Sequence, residues 1–196
     1  MREILIATTN HGKLREIRRI LGGLPVALKT LEDFPNLAAP EETGTSFGEN
    51  ARQKAMYYAA ATEMVAMAED SGFEVDALGG DPGIYSARYL REGASYPERF
   101  GDIYRRVREG GASDRSARFV CALAVAERDD ILFEAEATVE GALAPAPAGA
   151  NGFGYDPIFL YPPYGKTFGE VSDEEKTAVS HRGQAMRAFR DYLLSR

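Results

Sequence analysis

Glu69 and Asp70 stand side by side where the apolar run Val65-Ala66-Met67-Ala68 ends, and Ser71 and Gly72 follow them. A strand ending in two acids would bring negative charge to a sheet edge, the part of an α/β protein that tends to hold ligands. Desolvating adjacent carboxylates is unfavourable unless a cation or a proton offsets their repulsion. Mg²⁺ suits this role, because it takes a few carboxylate oxygens together with water and phosphate oxygens. The plain alternative is a solvated acidic turn, since acids are mostly exposed.

A second polar run, Thr8-Thr9-Asn10-His11-Gly12-Lys13, lies between the strand-like Glu3-Ile4-Leu5-Ile6-Ala7 and a helical pattern of Leu14, Ile17, Ile20 and Leu21. A helix N-terminus offers free N–H groups and a favourable dipole to phosphate. This is not a Walker loop, which needs a glycine where Ala7 stands and a Ser or Thr in place of Leu14. Hydroxyls of Thr8 and Thr9, the Asn10 amide and the Lys13 charge could still serve phosphate. Ordinary helix capping by Thr or Asn explains the same residues.

Ser46 and Glu49 form a capping-box pattern, opening a helix on which Asn50 and Lys54 share a face. Phe153, Gly154, Tyr155 and Asp156 place two aromatics and an acid on a glycine-rich backbone, which suits stacking on a planar ring with an acceptor at its edge. Packing without a ligand is the other reading. Ser172 and Glu175 mark a helix start before Lys176, and Ser180-His181-Arg182 opens the last helix, where His181 and Arg182 would project donors.

The elements that position these groups alternate between strand and helix. Val26-Ala27-Leu28 reads as a second strand, and Pro97 to Arg108 as a helix facing inward through Phe100, Ile103, Tyr104 and Val107. Ala117 to Ala126 and Ile131 to Leu143 read as long neighbouring strands joined by Glu127-Arg128-Asp129-Asp130. The segment Gly79 to Tyr89 is dense in turn formers, then helical. With 196 residues, 44% of them hydrophobic and 27% charged, the chain suits a single domain spanning residues 1–196.

A net charge of −7 argues against coating a nucleic acid polymer. It leaves room for a small anion held by local Lys and Arg. The longest apolar run, Phe119 to Ala126, is too short to span a membrane, and Met1-Arg2-Glu3 leads straight into a strand without a signal-peptide segment. Cys121, the only cysteine, sits in that apolar run and reads as a buried thiol in a reducing, cytoplasmic setting.

Taken in order, Thr8 to Lys13, Glu42 to Lys54, Glu69 to Gly72, Gly79 to Tyr89, Phe153 to Asp156 and Ser180 to Arg182 closely resemble the inosine triphosphate pyrophosphatase family over essentially the whole chain. The resemblance implies Mg²⁺-dependent hydrolysis of ITP, dITP or XTP to the monophosphate and pyrophosphate. It implies that Thr8, Thr9, Asn10, His11, Gly12 and Lys13 bind substrate, with Lys13 and Lys54 on the phosphates. Glu42 and Asp70 would hold the metal, Asp70 would accept the proton of the attacking water, and Ser71 would touch substrate. Phe153, Gly154, Tyr155, Asp156, Lys176, His181 and Arg182 would surround the base. Bacterial relatives more often carry aspartate where this chain has Glu69. A homodimer is implied too. The fold expected is α/β, with a long twisted mixed central sheet flanked by helices and two lobes with a cleft between them. A Maf-like nucleotide pyrophosphatase and a non-catalytic nucleotide-binding regulator are the alternatives.

Overall fold

The computed structural model describes residues 2–91 and 93–195. Strand β1 (Arg2–Ile6) carries the apolar run Ile4-Leu5-Ile6, and all three of these residues are buried. It lies parallel between β2 (Val26–Thr30) and β3 (Val65–Val75), with Ile4 opposite both Leu28 and Val65. Covering on both faces is what such a run requires.

β3 corrects one expectation. The strand does not stop at the acids but runs through Glu69, Asp70, Ser71 and Gly72 to Val75. The continuation is stabilised by Phe73 and Val75, both fully buried, so the acidic pair sits in mid-strand. β4 (Ser116–Glu127) and β5 (Asp130–Leu143) follow, then the short β6 (Phe159–Tyr161) and β7 (Lys166–Thr167). The sheet order is β2-β1-β3-β4-β5-β6-β7. It is mixed as expected, with β5, β6 and β7 pairing antiparallel.

Five α-helices accompany the sheet among the described residues: α1 (His11–Leu21), α2 (Phe47–Thr62), α3 (Tyr96–Glu109), α4 (Asp173–Val179) and α5 (His181–Leu194). Asn10 caps α1 by accepting from the Lys13 N–H at 3.1 Å, and Ser46 caps α2 by accepting from Glu49. Ser95 and Glu98 form a reciprocal capping box on α3, as do Ser172 and Glu175 on α4. The segment after Gly79 becomes helical as a 3₁₀ turn at Gly83–Tyr85, and the Arg88 N–H donates to the Tyr85 carbonyl at 2.9 Å just beyond it.

The chain divides into two compact units. The first comprises Met1–Asp70, Cys121–Ala137 and His181–Arg196, and the second Ser71–Val120 and Thr138–Ser180. The first has a core of Ile4, Ile6, Leu14, Ile17, Met67, Leu123, Met186 and Phe189, with α1 against α5. The second centres on Phe73, Ile103, Phe119, Ile158, Phe159 and Phe168. No helix is long and apolar enough to cross a membrane among the described residues.

Candidate active site

Successive residues of a strand point to opposite faces, so Glu69 and Asp70 meet different neighbours. Asp70 meets α2: its Oδ1 accepts from Lys54 Nζ at 2.9 Å and its Oδ2 from the Asn50 side-chain amide at 3.1 Å. Lys54 Nζ also donates to Glu42 Oε1 at 2.8 Å, so one ammonium joins two carboxylates. Burial alone would pull the Lys54 pKa down, but Asp70 and Glu42 outweigh it and raise it, keeping the amine charged. Asn50 is fully buried and also accepts from the Gly44 N–H at 2.9 Å, tying the loop that carries Glu42 to the residue that orients Asp70.

Glu69 faces α1 and α5 instead. Its carboxylate accepts from Arg182 Nε at 2.8 Å, lies 3.3 Å from Lys13 Nζ, and accepts from the Cys121 thiol at 3.2 Å. Arg182 donates its other end to Glu16 at 2.6 Å. Burial would raise the Glu69 pKa, yet Arg182 and Lys13 hold it well below the usual carboxylate range. The Cys121 thiol is pushed up by burial and by the neighbouring Glu69 charge, so it stays protonated. Glu69 therefore organises Lys13 and Arg182 on its own face of β3.

This placement corrects the expectation for Ser180-His181-Arg182. His181 and Arg182 do begin α5, but both are buried rather than projecting. The Arg182 guanidinium has two carboxylates to satisfy it. In the polar run after β1, Asn10 spends its side-chain oxygen on the α1 cap, while the Asn10 N–H donates to Thr8 Oγ1 at 3.2 Å. Thr9, Asn10 and His11 are exposed, and Thr8, Gly12 and Lys13 are half-buried. Ser71 is a half-buried residue of β3 and begins the second unit.

In the second unit the structure brings Phe153, Asp156 and Lys176 together. Asp156 Oδ2 accepts from the Phe153 N–H at 2.7 Å and from Lys176 Nζ at 2.6 Å. The same ammonium lies 4.5 Å from the centre of the Phe153 ring, a cation–π distance. Tyr155 departs from the stacking expectation. It is buried, lies on Phe73 with ring centres 5.2 Å apart at 20°, and donates its hydroxyl to the Ser86 carbonyl at 2.8 Å. Of the two aromatics, Phe153 is the half-buried one.

Gly154 has φ +67° and Gly152 φ +71°. A Cβ on Gly152 would come within 2.1 Å of Asp156 Oδ2, so only glycine lets this turn close on the carboxylate. Gly152→Ala is expected to lower unfolding free energy by about 1–3 kcal/mol, read by urea titration.

Asn50, Glu16 and Cys121 join the site without being expected there. Asn50 has a signal in the sequence, its four-residue spacing from Lys54 on one helix face. Glu16 and Cys121 have none, because their partners, Arg182 for Glu16 and Glu69 for Cys121, are remote in sequence.

Glu42 and Asp70 fit a hard divalent cation. Both offer oxygen donors to one point, and the Lys54 ammonium already stands between them as a cation of the required sign. No group of three or more His, Cys, Asp or Glu gathers as a metal site among the described residues. Two carboxylates are the protein share that Mg²⁺ takes when phosphate and water complete its shell.

The fold and these groups define a class: an α/β protein whose clustered carboxylates are balanced by lysines, an arrangement suited to binding anions with a divalent cation. Within that class the chain belongs to the Ham1 family, whose family model matches residues 4–192. It is 48% identical over 188 residues to the dITP/XTP pyrophosphatase of Gloeobacter violaceus, covering 95% of this chain and 92% of that protein. It is 47% identical to a dITP/XTP pyrophosphatase of Thermus thermophilus, with 95% and 89% covered. A solved HAM1 protein from Coxiella burnetii superposes over 100% of both chains with a TM-score of 0.92 at 37% identity.

Proposed function

We propose that this chain hydrolyses non-standard purine nucleoside triphosphates, dITP, ITP and XTP, to the monophosphate and pyrophosphate with Mg²⁺. The observation that carries the reading is the Lys54 ammonium joining Glu42 and Asp70, with Asn50 orienting Asp70. The names of the similar dITP/XTP pyrophosphatases support the same activity. A homodimeric state and a cytoplasmic setting belong to the proposal, resting on the family resemblance and on the free, buried Cys121.

In the reaction, water oxygen bonds to the α-phosphorus, the bond from that phosphorus to the αβ-bridging oxygen breaks, and pyrophosphate leaves. Asp70 takes the proton of the attacking water, within reach of the Asn50 amide that fixes its second oxygen. Lys54 and Lys13 neutralise phosphate charge, and the Thr8 to Gly12 segment binds substrate with Ser71. Glu42 and Asp70 would hold Mg²⁺, which would supply further charge neutralisation and a more acidic water.

For the base, Phe153 offers a ring face, and Lys176 and His181 offer donors, with Gly154, Tyr155 and Asp156 shaping the turn. Hypoxanthine and xanthine present a carbonyl where adenine presents an amino group, so donors there favour the former. A site built on such bonds discriminates by ~10⁴ when pairing fails.

The test is pyrophosphate release from ITP, XTP, dITP, GTP, ATP and dTTP, with Mg²⁺ and with EDTA. Turnover that is confined to ITP, dITP and XTP and abolished by EDTA is expected. Activity on other nucleotides alone, or on none, overturns the reading.

A further inference from the structure

Arg99 is a buried cation that the proposed reaction does not use. It lies on α3, is 6% exposed, and has no carboxylate within ion-pairing distance among the described residues. Its Nη1 donates to the Ser86 carbonyl at 3.0 Å, its guanidinium lies 5.0 Å from the Tyr96 ring centre, and its Nε is buried without a partner.

A guanidinium taken out of water without a counter-ion costs several kcal/mol in ordinary proteins, and apolar side chains of similar size often serve stability as well or better. Stability alone therefore gives a poor reason for arginine here. What the side chain does hold is specific. The Ser86 carbonyl that accepts from Arg99 also accepts from the Tyr155 hydroxyl at 2.8 Å. Tyr96, beneath the guanidinium, packs edge-on to Tyr155 with centres 5.4 Å apart. Tyr155 directly precedes Asp156, whose carboxylate closes the turn on the Phe153 N–H and Lys176. Burial raises the Tyr96 phenol, which Arg99 pulls down and Asp156 pushes up, so both charges act on one ring.

We propose that Arg99 is a positioning residue for the turn Phe153 to Asp156: by fixing the Ser86 carbonyl and the Tyr96 ring it sets Tyr155, and through Tyr155 the placement of Asp156 and Phe153. The inference rests on the reading that this turn receives the purine. Arg99 itself does not touch substrate. Its loss loosens purine binding and leaves the phosphate chemistry of Asp70 intact.

The experiment compares R99M, which keeps length without charge or donors, and R99K, which keeps the charge on a single donor nitrogen, with D156N as a control, in steady-state hydrolysis of ITP with Mg²⁺. R99M is expected to raise KM about tenfold with kcat within about twofold, and R99K to recover part of the loss. Lower melting temperatures with KM unchanged in both variants assign Arg99 to structure alone and overturn the inference. If R99M does not fold, R99K decides: a raised KM at an unaltered melting temperature supports positioning, and an unchanged KM overturns it. D156N separates the two layers, because a KM unaffected by D156N overturns the purine reading itself. A KM raised by D156N but by neither Arg99 variant overturns only the role of Arg99.

Discussion

Asp70→Asn is expected to lower kcat for ITP hydrolysis by about 10³-fold while nucleotide binding persists, the range over which a positioned proton acceptor contributes. The substitution keeps the shape of the side chain and its place in β3, so Asn50 remains beside it. Lys54 loses one carboxylate but keeps Glu42 at 2.8 Å, which limits the structural cost. What disappears is a basic oxygen and one of two anionic donors for a divalent cation. Pyrophosphate release at saturating ITP reports the loss, and calorimetric titration with a non-hydrolysable inosine nucleotide reports binding. Bound nucleotide with no turnover distinguishes a hydrolase from a nucleotide-binding regulator. A fall in kcat of less than about tenfold would remove Asp70 from the proton-acceptor role.

That the pair Glu69-Asp70 stands out in the sequence reflects the physics of strands, whereas the preference for Asp70 within the pair comes from the family resemblance. An apolar run interrupted by two acids is conspicuous because burial of charge needs a reason. The same logic identifies Lys54 and Asn50 as neighbours on α2, since helical spacing is visible in the chain. β1, α1, α3 and the β4 and β5 pair are legible for the same cause: their apolar periodicity and caps are local. The end of β3 is not, because Ser71-Gly72 reads as a turn unless Phe73 and Val75 have a core to enter, and that core is assembled from distant segments. Arg182 misleads for a related reason. A residue at a helix start looks exposed in sequence, and its two partners, Glu16 and Glu69, lie 166 and 113 positions away. Tyr155 looks like a stacking surface for ligand, yet its ring and hydroxyl are committed to Phe73 and Ser86. Local pattern shows where chemistry is available; long-range packing decides which groups are already spent.

Glu69→Gln is expected to destabilise the fold by about 3–5 kcal/mol, the cost of removing one partner from a buried ion pair. Two cations depend on this carboxylate, and its side chain is 1% exposed. Glutamine cannot replace it, since an amide turned toward Arg182 supplies at most one neutral oxygen and its NH₂ then meets other donors. Arg182 retains Glu16, so the guanidinium is not stripped of charge compensation, but Lys13 loses the carboxylate that lies 3.3 Å from it. Glu16→Gln gives the contrast. It removes one charged hydrogen bond from Arg182 and leaves Glu69 in place, so its cost should be nearer the ~1.5–3 kcal/mol of such bonds. Urea unfolding measures both: the midpoint should fall further for Glu69→Gln than for Glu16→Gln, with the slope unchanged. Equal shifts would mean that Arg182 alone sets the energy of the group and that the Lys13 contact adds nothing. A larger effect of Glu69→Gln instead makes Glu69 the anchor of Lys13. The two acids of β3 then divide their labour by face, with Glu69 fixing cations in the first unit and Asp70 serving the proposed chemistry.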